Sequence, residues 1–580
     1  MRKRYLALYR PGGLLDHDRS RLDALLADHA LRCCYDDAAL LIVADPALPI
    51  HADTTGVILG TLHDRGSATP RITLSAEEQY AIAVSAGLEL ARNFWGDYVA
   101  LLAPDPDHLA IVRAPFGDLG CLHLFDGDLW LIASDAALLR YVSRRSIMID
   151  RGAVARSLGR GDLMTAETCL ASVDEVRGGT RHDLACTGTW VLSALWSPWP
   201  FARDPVDDPA TAHRALRKAV RCAISAAVSG HDRVLVMLSG GLDSSIVTAA
   251  VAALPVTAQS ITLFPGDAAG DERDYARLVA QHCGVALEER TLDAGSVDVT
   301  ASSAASLPRP ASRSFFQAVE HGIAAAAATH GARVIVDGGG GDNLFCSHRS
   351  VAAVADSLLT AGFGKKLWST AVSLADLAET SVPKVLAHAI RRAWFRPRGV
   401  SPPIDTSLLS ADAASMARAQ LDHPWLTAPS DALPGKAVHI WLLAVAQALV
   451  ESSYPPEGPL RASPLMSQPV AEACLRIPSA LWFAPGHNRA AARAAFAADL
   501  PAETINRRSK ALPNHFATIL IERYRTQFRA MLLDGYLAQS GLIDVEAVRV
   551  SLDDHAPARS YDFTRLLRLG DVEAWTRHWS

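Results

Sequence analysis

The chain lacks the features that mark nucleic-acid-binding, secreted and membrane-spanning proteins. Its net charge is only -6 over 580 residues, so there is no electrostatic case for nucleic acid as a main partner. The nine cysteines are odd in number and contain no C-x-x-C pair, which argues against a zinc site and a secreted disulfide framework. No apolar run is long enough to cross a bilayer. We therefore expect a globular cytoplasmic protein with neither nucleic acid nor a membrane among its partners.

Length and hydrophobic pattern predict two domains. A chain of 580 residues is too long for one core. The first third alternates short apolar runs with turns, which is typical of β-sheet with helices between the strands; these runs are Leu40–Ala44, Tyr98–Leu102, Leu109–Val112 and Leu129–Ala133. Around residues 196–209 the sequence becomes proline-rich and loses periodicity. We place the boundary there, which gives domains 1–203 and 204–580.

From Arg214 onward, strands alternate with helices. The predicted strands end near Leu238, Phe264, Leu292 and Val336, and a helix lies between each pair. This alternation predicts right-handed crossovers and a doubly wound parallel sheet. Ligands of such sheets bind at the carboxyl ends of the strands. From about residue 351 to the C-terminus the periodicity is mostly helical.

The most specific segment is Ser239-Gly-Gly-Leu-Asp-Ser-Ser245, which directly follows the apolar strand. Its two glycines can take positive φ and let backbone N–H groups approach an anion. The helix that begins near Asp243 adds the positive end of its dipole. The loop contains no lysine, so it differs from the G-x-x-x-x-G-K-[ST] loop of ATPases that transfer the γ-phosphate. We interpret it as a phosphate-binding loop of another kind.

A second glycine loop, Asp337-Gly-Gly-Gly-Gly-Asp342, follows the strand that ends at Val336. Its four glycines leave the strand end without side-chain bulk, so a ligand can lie against the backbone at Gly339 and Gly340. Asp342 offers a carboxylate at the start of a helix. Because Mg²⁺ on a polyphosphate takes one or two protein carboxylates, Asp342 and Asp243 together predict a magnesium site.

The string S-G-G-L-D-S-S resembles the pyrophosphate loop of the N-type ATP pyrophosphatases, which cleave ATP between the α and β phosphates. The resemblance implies ATP and Mg²⁺, with the metal on Asp243 and Asp342. It assigns the nucleotide to Leu238, Ser239, Gly240, Gly241, Asp243, Ser244, Ser245, Gly339 and Gly340.

The segment Leu500–Lys510 resembles the late basic motif of asparagine synthetases, in which a lysine matching Lys510 stabilises the charge of the acyl-adenylate. Residues 214–514 therefore resemble the synthetase domain of these enzymes. Asn93–Asp97 and shorter matches at 114–117 and 133–135 resemble their glutamine-amidotransferase domain. The implied catalytic residues are Lys510, Asp243 and Asp342. The implied fold class is α/β: an N-terminal glutamine-amidotransferase-like (Ntn) α+β sandwich, then a doubly wound parallel-sheet ATP pyrophosphatase domain (adenine nucleotide alpha hydrolase-like) with a mostly helical C-terminal part.

Two departures from the asparagine synthetases and one from the β-lactam-forming relatives indicate a branch of the family. A glutaminase of this kind needs a cysteine after the initiator methionine, and Arg2 stands there; the amidotransferase domain is therefore expected to be degenerate and the nucleophile to be an amine of the substrate. Where asparagine synthetases read G-E-G-[AS]-D-E, this chain reads G-G-G-G-D-N, and Gly339 replaces the tyrosine of β-lactam-forming relatives. The string G-G-G-G-D-N-L-F-C resembles the lasso peptide cyclases.

This resemblance implies macrolactam formation in a ribosomal precursor peptide. An Asp or Glu side chain is adenylated, and the N-terminal amine then displaces AMP to form an isopeptide bond. The implied partners are the precursor peptide and a leader-peptide protease. Two alternatives stay open: amide synthesis on a small molecule such as asparagine or a β-lactam, and an inactive scaffold or peptide-binding module. The general base is not identified; His348 and Glu451 are candidates, although such residues are more often structural.

Overall fold

The computed structural model describes residues 3–28, 31–105, 107–265, 271–311, 313–451, 458–508, 514–553 and 560–580. Its strands form two six-stranded sheets, one five-stranded sheet and one two-stranded sheet. None of the helices within these ranges combines the length and the apolar character that a membrane span requires.

The two six-stranded sheets are antiparallel and belong to the N-terminal part. Their strands are β1 (Tyr5–Tyr9), β2 (Arg32–Asp36), β3 (Leu40–Ala44), β4 (Ile50–Asp53), β5 (Gly56–Asp64), β6 (Phe94–Asp105), β7 (His108–Arg113), β8 (Leu122–Asp126), β9 (Leu129–Ala133), β10 (Val173–Glu175), β11 (Thr180–Leu184) and β12 (Trp190–Ala194). The first sheet has the order β10-β8-β9-β1-β3-β2 and the second the order β12-β11-β7-β6-β5-β4. The four predicted apolar runs are confirmed as β3, β9 and parts of β6 and β7.

These sheets pack face to face between two layers of helices. The helices are α1 (Asp16–Arg19), α2 (Asp23–Asp28), α3 (Ala76–Val84), α4 (Leu88–Asn93), α5 (Ala136–Val142) and α6 (Arg151–Arg160). Because side chains alternate along a strand, Tyr5 and Ala7 of β1 point to the second sheet, whereas Leu6 and Leu8 point to α5 and α6. The outer face of the second sheet is covered by α3 and α4. The N-terminal part is therefore a four-layer α+β sandwich.

The five-stranded sheet is parallel. Its elements with the helices around them are α7 (Trp199–Arg203), α8 (Pro209–Val228), β13 (Arg233–Met237), α9 (Leu242–Ala252), β14 (Thr257–Phe264), α10 (Arg273–Cys283), β15 (Ala286–Thr291), α11 (Phe316–His330), β16 (Val334–Val336) and α12 (Gly341–Leu344), with β17 (Leu460–Ala462) added later in the chain. The order is β15-β14-β13-β16-β17. Helices α8 and α9 cover one face and α11 the other, which confirms the doubly wound sheet. The strand β17 was not predicted, since three residues after a long helical stretch carry little pattern.

The rest of the chain is mostly helical, as predicted. It contains α13 (Ala352–Ala361), α14 (Lys365–Leu377), α15 (Val382–Trp394), α16 (Ala411–Ala417), α17 (Pro434–Glu451), α18 (Gln468–Arg476), β18 (Phe483–Ala484), β19 (His487–Asn488), α19 (Ala490–Ala495), α20 (Ala502–Asn506), α21 (Asn514–Arg523), α22 (Arg525–Asp534), α23 (Tyr536–Gln539), α24 (Val545–Ser551) and α25 (Ser560–Trp579). Helices α16, α21 and α25 pack into the same core as the outer face of the first sheet. Trp196 and Trp199 pack into the core around β13. The predicted boundary at residue 203 lies between α7 and α8 and stays a prediction.

Candidate functional site

The two glycine loops lie side by side at the carboxyl edge of the parallel sheet. Strands β13 and β16 are hydrogen-bonded neighbours, with Val236 opposite Val336. From this pair the sheet continues to β14 and β15 on one side and to β17 on the other. This is the topological switch point at which open parallel sheets bind ligands. The sequence placed both loops at neighbouring strand ends, and the strand order agrees.

The first loop is held by its own hydroxyl groups. Ser244 Oγ accepts a hydrogen bond from Ser239 N at 3.2 Å and donates one to Gly241 O at 3.2 Å, and Ser245 Oγ donates to the same carbonyl at 2.7 Å. Helix α9 begins at Leu242, and no side chain in the described part of the chain caps it. Its first N–H groups can therefore receive an anion.

Gly240 has to be glycine for two separate reasons. Its φ is +70°, and a Cβ there would lie 2.5 Å from Tyr275 Cβ and 2.6 Å from Ala276 N. We expect Gly240→Ala to raise KM for ATP roughly tenfold, because the left-handed strain of about 1–2 kcal/mol must be relieved by moving the loop. ATP-dependent initial rates and Tm measure this. Gly230→Ala is the control, since Gly230 also has a left-handed φ, +78°, but lies outside the loop and leaves open space for a Cβ; equal KM values for the two variants would contradict the prediction.

The second loop is packed by protein atoms. A Cβ on Gly341 would lie 2.6 Å from Asp243 Cβ, one on Gly340 would lie 2.2 Å from Met466 Cγ, and one on Gly339 would lie 2.7 Å from Ser463 Oγ. The sequence suggested that the bare backbone leaves room for a ligand. In the structure the missing side chains instead let this loop approach the first loop and the segment after β17.

Asp337 anchors the start of the second loop. Its carboxylate accepts hydrogen bonds from Gly339 N at 2.8 Å, Ser463 Oγ at 2.6 Å and Arg461 Nη2 at 3.1 Å. Arg461 also forms an ion pair with Glu320. Sequence reasoning did not assign these roles, because the partners lie more than 100 residues apart; the only signal was an acidic residue directly at a strand end.

Asp243 and Asp342 converge on one guanidinium group. Arg489 Nη1 lies 2.6 Å from Asp342 Oδ1 and 3.4 Å from Asp243 Oδ2. Asp243 is only 7% exposed and Arg489 only 9%. Two carboxylates this close repel each other unless a cation lies between them. The structure therefore brings the two predicted aspartates together at the guanidinium group of Arg489, and their role as metal ligands stays a prediction.

Arg489 was missed by sequence reasoning. It stands just before α19 with φ +57°, a left-handed conformation that costs a residue with a side chain about 1–3 kcal/mol and clusters at functional sites. Nothing in its sequence neighbourhood indicated this. The strained backbone is the signal that would have found it, and it is visible only in three dimensions.

The aspartate pair fits a divalent cation that is delivered with a polyphosphate. Mg²⁺ usually takes one or two carboxylates and completes its shell with phosphate oxygens and water. Among the described residues there is no cluster of three or more His, Cys, Asp or Glu side chains suited to a metal. The protein offers two oxygen donors here, so the remaining ligands would come from the nucleotide.

The basic segment predicted from sequence reaches the first loop through Arg507. Its Nη1 donates to Gly240 O at 3.2 Å, its guanidinium lies 3.9 Å from the centre of the Tyr275 ring, and it pairs with Glu272. Arg493 donates to Arg507 O at 3.0 Å, and burial lowers the pKa of Arg493 to about 10. Lys510, the predicted catalytic lysine, lies outside the described residues.

The two candidate bases have structural surroundings. Burial lowers the pKa of His348 to about 4, and its Nδ1 accepts a hydrogen bond from Ser350 N at 3.0 Å. Glu451 is buried and lies 2.8 Å from Arg177 and 3.1 Å from Arg113. The second carboxylate of this cluster, Glu175, also contacts both arginines and pairs with Arg309. These three arginines hold the pKa of Glu175 well below its usual range.

Glu451 therefore belongs to a buried ion cluster that joins α17 to the N-terminal sheets. We expect Glu451→Gln to destabilise the fold by about 3–5 kcal/mol, because three buried arginines would then face a single carboxylate. Urea unfolding measures the loss, and Glu546→Gln, whose side chain is 76% exposed, is the control. Normal stability combined with lost ligase activity would instead indicate a role as the base.

Comparison with known proteins identifies the family. The model of the asparagine synthase family matches residues 214–418 and 461–577, together more than half of the chain. These stretches include both glycine loops and Arg489. No curated protein matches the chain significantly.

Two solved structures match parts of the chain, but their TM-scores are low. The allosteric regulatory enzyme of purine biosynthesis has 9% identity and a TM-score of 0.20, covering 50% of this chain and 74% of that chain. Glutamine phosphoribosylpyrophosphate amidotransferase from B. subtilis, complexed with ADP and GMP, has 11% identity and a TM-score of 0.20, covering 59% of this chain and 77% of that chain. Scores this low do not establish a shared fold. By the extent of the family match, the chain belongs to the asparagine synthase family.

Proposed function

We propose that the protein is a lasso peptide cyclase, which forms an isopeptide bond within a ribosomal precursor peptide and releases AMP and pyrophosphate. Membership of the asparagine synthase family supports the coarser activity, ATP-dependent amide-bond formation. The precursor peptide and a leader-peptide protease are its proposed partners. What separates a cyclase from a small-molecule ligase is the acyl acceptor, and the second glycine loop bears on it.

The observation that carries the proposal is the packing at Gly339. Asparagine synthetases have glutamate at the matching position and β-lactam-forming relatives have tyrosine. Here a Cβ would lie 2.7 Å from Ser463 Oγ and 2.8 Å from Asp337 Oδ1, closer than real contacts allow. Either side chain would displace Ser463 and the carboxylate of Asp337, which are hydrogen-bonded to each other at 2.6 Å, and this packing favours a branch that uses glycine.

Asn343 supports the same branch. Its Nδ2 donates a hydrogen bond to Leu442 O at 3.0 Å. The glutamate of asparagine synthetases could not make this bond, because an ionised carboxylate only accepts. Two of the three acidic groups of the asparagine synthetase loop are thus replaced by residues that fit the local packing and hydrogen bonding, and the third is kept as Asp342. The part of the site that faces the acyl acceptor therefore carries less negative charge than in asparagine synthetases. We expect this to suit a peptide amine better than ammonia.

The proposed chemistry has two steps. A carboxylate oxygen of the peptide attacks the α-phosphorus of ATP, the bond from that phosphorus to the bridging oxygen breaks, and pyrophosphate leaves with the electron pair. The peptide's N-terminal amine then attacks the acyl carbon, AMP leaves, and the amine loses a proton. Holding both ends of one folded peptide together makes the second step intramolecular, which favours ring closure.

Named residues serve the first step. The loop from Ser239 to Ser245 and the start of α9 would receive the phosphates through their N–H groups. Asp243 and Asp342 would hold Mg²⁺, which when bound neutralises charge on the polyphosphate. Arg489 pairs with the two carboxylates and would add positive charge beside a nucleotide bound there. Arg507 holds the first loop in place through Gly240 O.

Lys510 is proposed to stabilise the developing charge of the acyl-adenylate. It follows Arg507 by three residues in the chain. We expect Lys510→Met to lower kcat about a hundred- to a thousandfold, because it removes a cation used mainly in the transition state. KM for ATP should change little. Lys218→Met, on the exposed side of α8, is the control; an effect confined to KM would contradict the proposed role.

The decisive experiment supplies the peptide encoded by a small open reading frame beside the gene, with its leader removed. We expect AMP and pyrophosphate in equal amounts and a peptide product lighter by one water, with the N-terminal amine blocked. Formation of ADP and phosphate, or no turnover, would contradict the proposal. In a parallel reaction with aspartate and ammonium, asparagine formation without peptide would replace the cyclase by a small-molecule ligase.

A further inference from the structure

A cavity of about 410 Å³ separates the N-terminal sandwich from the parallel sheet. On the N-terminal side it is lined by Trp95, Phe116 and Ile72. On the other side it is lined by the C-terminal end of α8 and by the segment from β17 to Ser467. Neither the nucleotide loops nor the proposed chemistry accounts for this space. Its size falls within the range of about 300–1,000 Å³ typical of ligand pockets.

The cavity shares a wall with the second glycine loop. Ser463 and Met466 line the cavity, and the same two side chains occupy the space where Gly339 and Gly340 lack a Cβ. One layer of side chains therefore separates the cavity from the loop that carries Asp342. The cavity therefore lies next to the loop whose last residue is Asp342.

The walls are suited to an apolar ligand. Small residues of α8, among them Ala223 and Ala227, lie across from the rings of Trp95 and Phe116. The indole N–H of Trp95 is already used, since it donates to Asp64 O at 3.0 Å. Ile72, at the same cavity, is 79% exposed and gains by being covered. These surfaces suit aliphatic or aromatic side chains, while the charged side chains of Lys3, Arg71, Asp97 and Asp118 line other parts of the cavity.

One of the hydroxyl groups that line the cavity is not used elsewhere in the described part of the chain. Ser467 lines the cavity, and its hydroxyl has no hydrogen-bond partner among the described residues. Although it precedes α18, it does not cap that helix. A hydroxyl both donates and accepts, so it suits a main-chain amide.

We propose that the interdomain cavity binds a short apolar segment of the peptide substrate, with Ser467 bonded to its main chain, and so directs the neighbouring carboxylate past Ser463 and Met466 to the nucleotide. This inference rests on the proposed function for the identity of the substrate. Apolar side chains on a chain of amides match the apolar part of the wall and the hydroxyl of Ser467.

The test uses N-acetyl-Leu-Phe-Leu-amide as the probe, without ATP. This tripeptide has apolar side chains and main-chain amides but neither an amine nor a carboxylate, so it takes no part in the chemistry. Saturation-transfer NMR measures its binding to the full chain. We expect saturable binding that Ala227→Trp weakens at least about tenfold by filling the cavity. The matched control is Ala215→Trp, on an exposed position of the same helix, which should bind as the wild type.

Ser467→Ala provides a variant that does not depend on a bulky substitution. Removing a buried hydroxyl that has no partner should leave Tm unchanged or raise it. Probe binding should nevertheless weaken about three- to tenfold through loss of one hydrogen bond. Full-strength binding by both Ala227→Trp and Ser467→Ala, or no saturable binding by the wild type up to the solubility limit of the probe, would overturn the inference.

The failure of this inference and that of the proposed function can be told apart. Probe binding is measured without nucleotide, so it does not depend on whether AMP is formed. A wild type that forms AMP with the precursor peptide but does not bind the probe retains the function and loses the cavity assignment. A wild type that binds the probe but makes no AMP keeps the cavity as a binding site for apolar peptide and loses the proposed function.

Discussion

Replacing Asp243 by asparagine is expected to slow pyrophosphate release about a hundred- to a thousandfold at saturating peptide. The substitution keeps the shape of the side chain but removes one of the two carboxylates that face Arg489. The remaining Asp342 is closer to that guanidinium, so the loop should stay folded while the affinity for Mg²⁺ falls. Initial rates over a range of Mg²⁺ concentrations measure both effects.

Asp274→Asn is the matched control for this prediction. Asp274 lies in the first turn of α10, the helix that packs against the first loop, and its side chain is 94% exposed. The activity of this variant should equal that of the wild type. If Asp243→Asn kept more than about half of the wild-type rate, a loss smaller than 0.5 kcal/mol, the metal would have to bind elsewhere.

Replacing Arg489 by methionine is expected to destabilise the chain by about 3–5 kcal/mol in the presence of EDTA. The substitution removes the guanidinium that contacts both carboxylates, the largely buried Asp243 and the 35% exposed Asp342, and losing an ion-pair partner at a mostly buried site is costly. Added Mg²⁺ should recover much of this loss, because a divalent cation can take the place of the guanidinium. The wild type, whose carboxylates are already compensated, should respond much less to Mg²⁺ alone. Urea unfolding with EDTA and with Mg²⁺ measures the difference.

Arg476→Met is the control for the loss of an arginine. Arg476 pairs with Asp204, but their side chains are 44% and 70% exposed, so the substitution should cost less than about 1 kcal/mol. The free energy of unfolding of Arg476→Met should be the same in EDTA and in Mg²⁺. An Arg489→Met protein as stable as the wild type in EDTA would mean that Asp243 and Asp342 do not need a cation between them.

The local sequence pattern was sufficient to predict those parts of the candidate site that lie within one short contiguous stretch. The buried run Val234–Leu238 and the serine-glycine loop after it predicted a strand, a turn and a helix, and the structure has β13 and α9 around that loop. Alternation of strand and helix predicted a parallel sheet, because crossovers of this length are right-handed and return to the same sheet. The sequence alone therefore predicted both loops at the carboxyl edge of the parallel sheet.

Contacts between residues that are far apart in the chain could not be predicted from local sequence pattern. Arg489 is 246 residues from Asp243 and 147 from Asp342, and no periodicity links positions so far apart. The same holds for Asp337, which meets Ser463 across 126 residues. Strand β17 was overlooked because its three residues gain their strand character by pairing with β16 and not from their own propensity.

The chain alone thus specifies which chemical groups are available: a loop of N–H donors, two carboxylates at strand ends and a late basic segment. Each follows from φ freedom, helix dipoles and side-chain alternation, which act over a few residues. Other features depend on segments that packing brings together. These are the cation that balances the carboxylates, the contacts that a side chain at Gly339 would meet, and the cavity beside the second loop. Packing is decided by the complementary shape of distant surfaces, and no local rule encodes it.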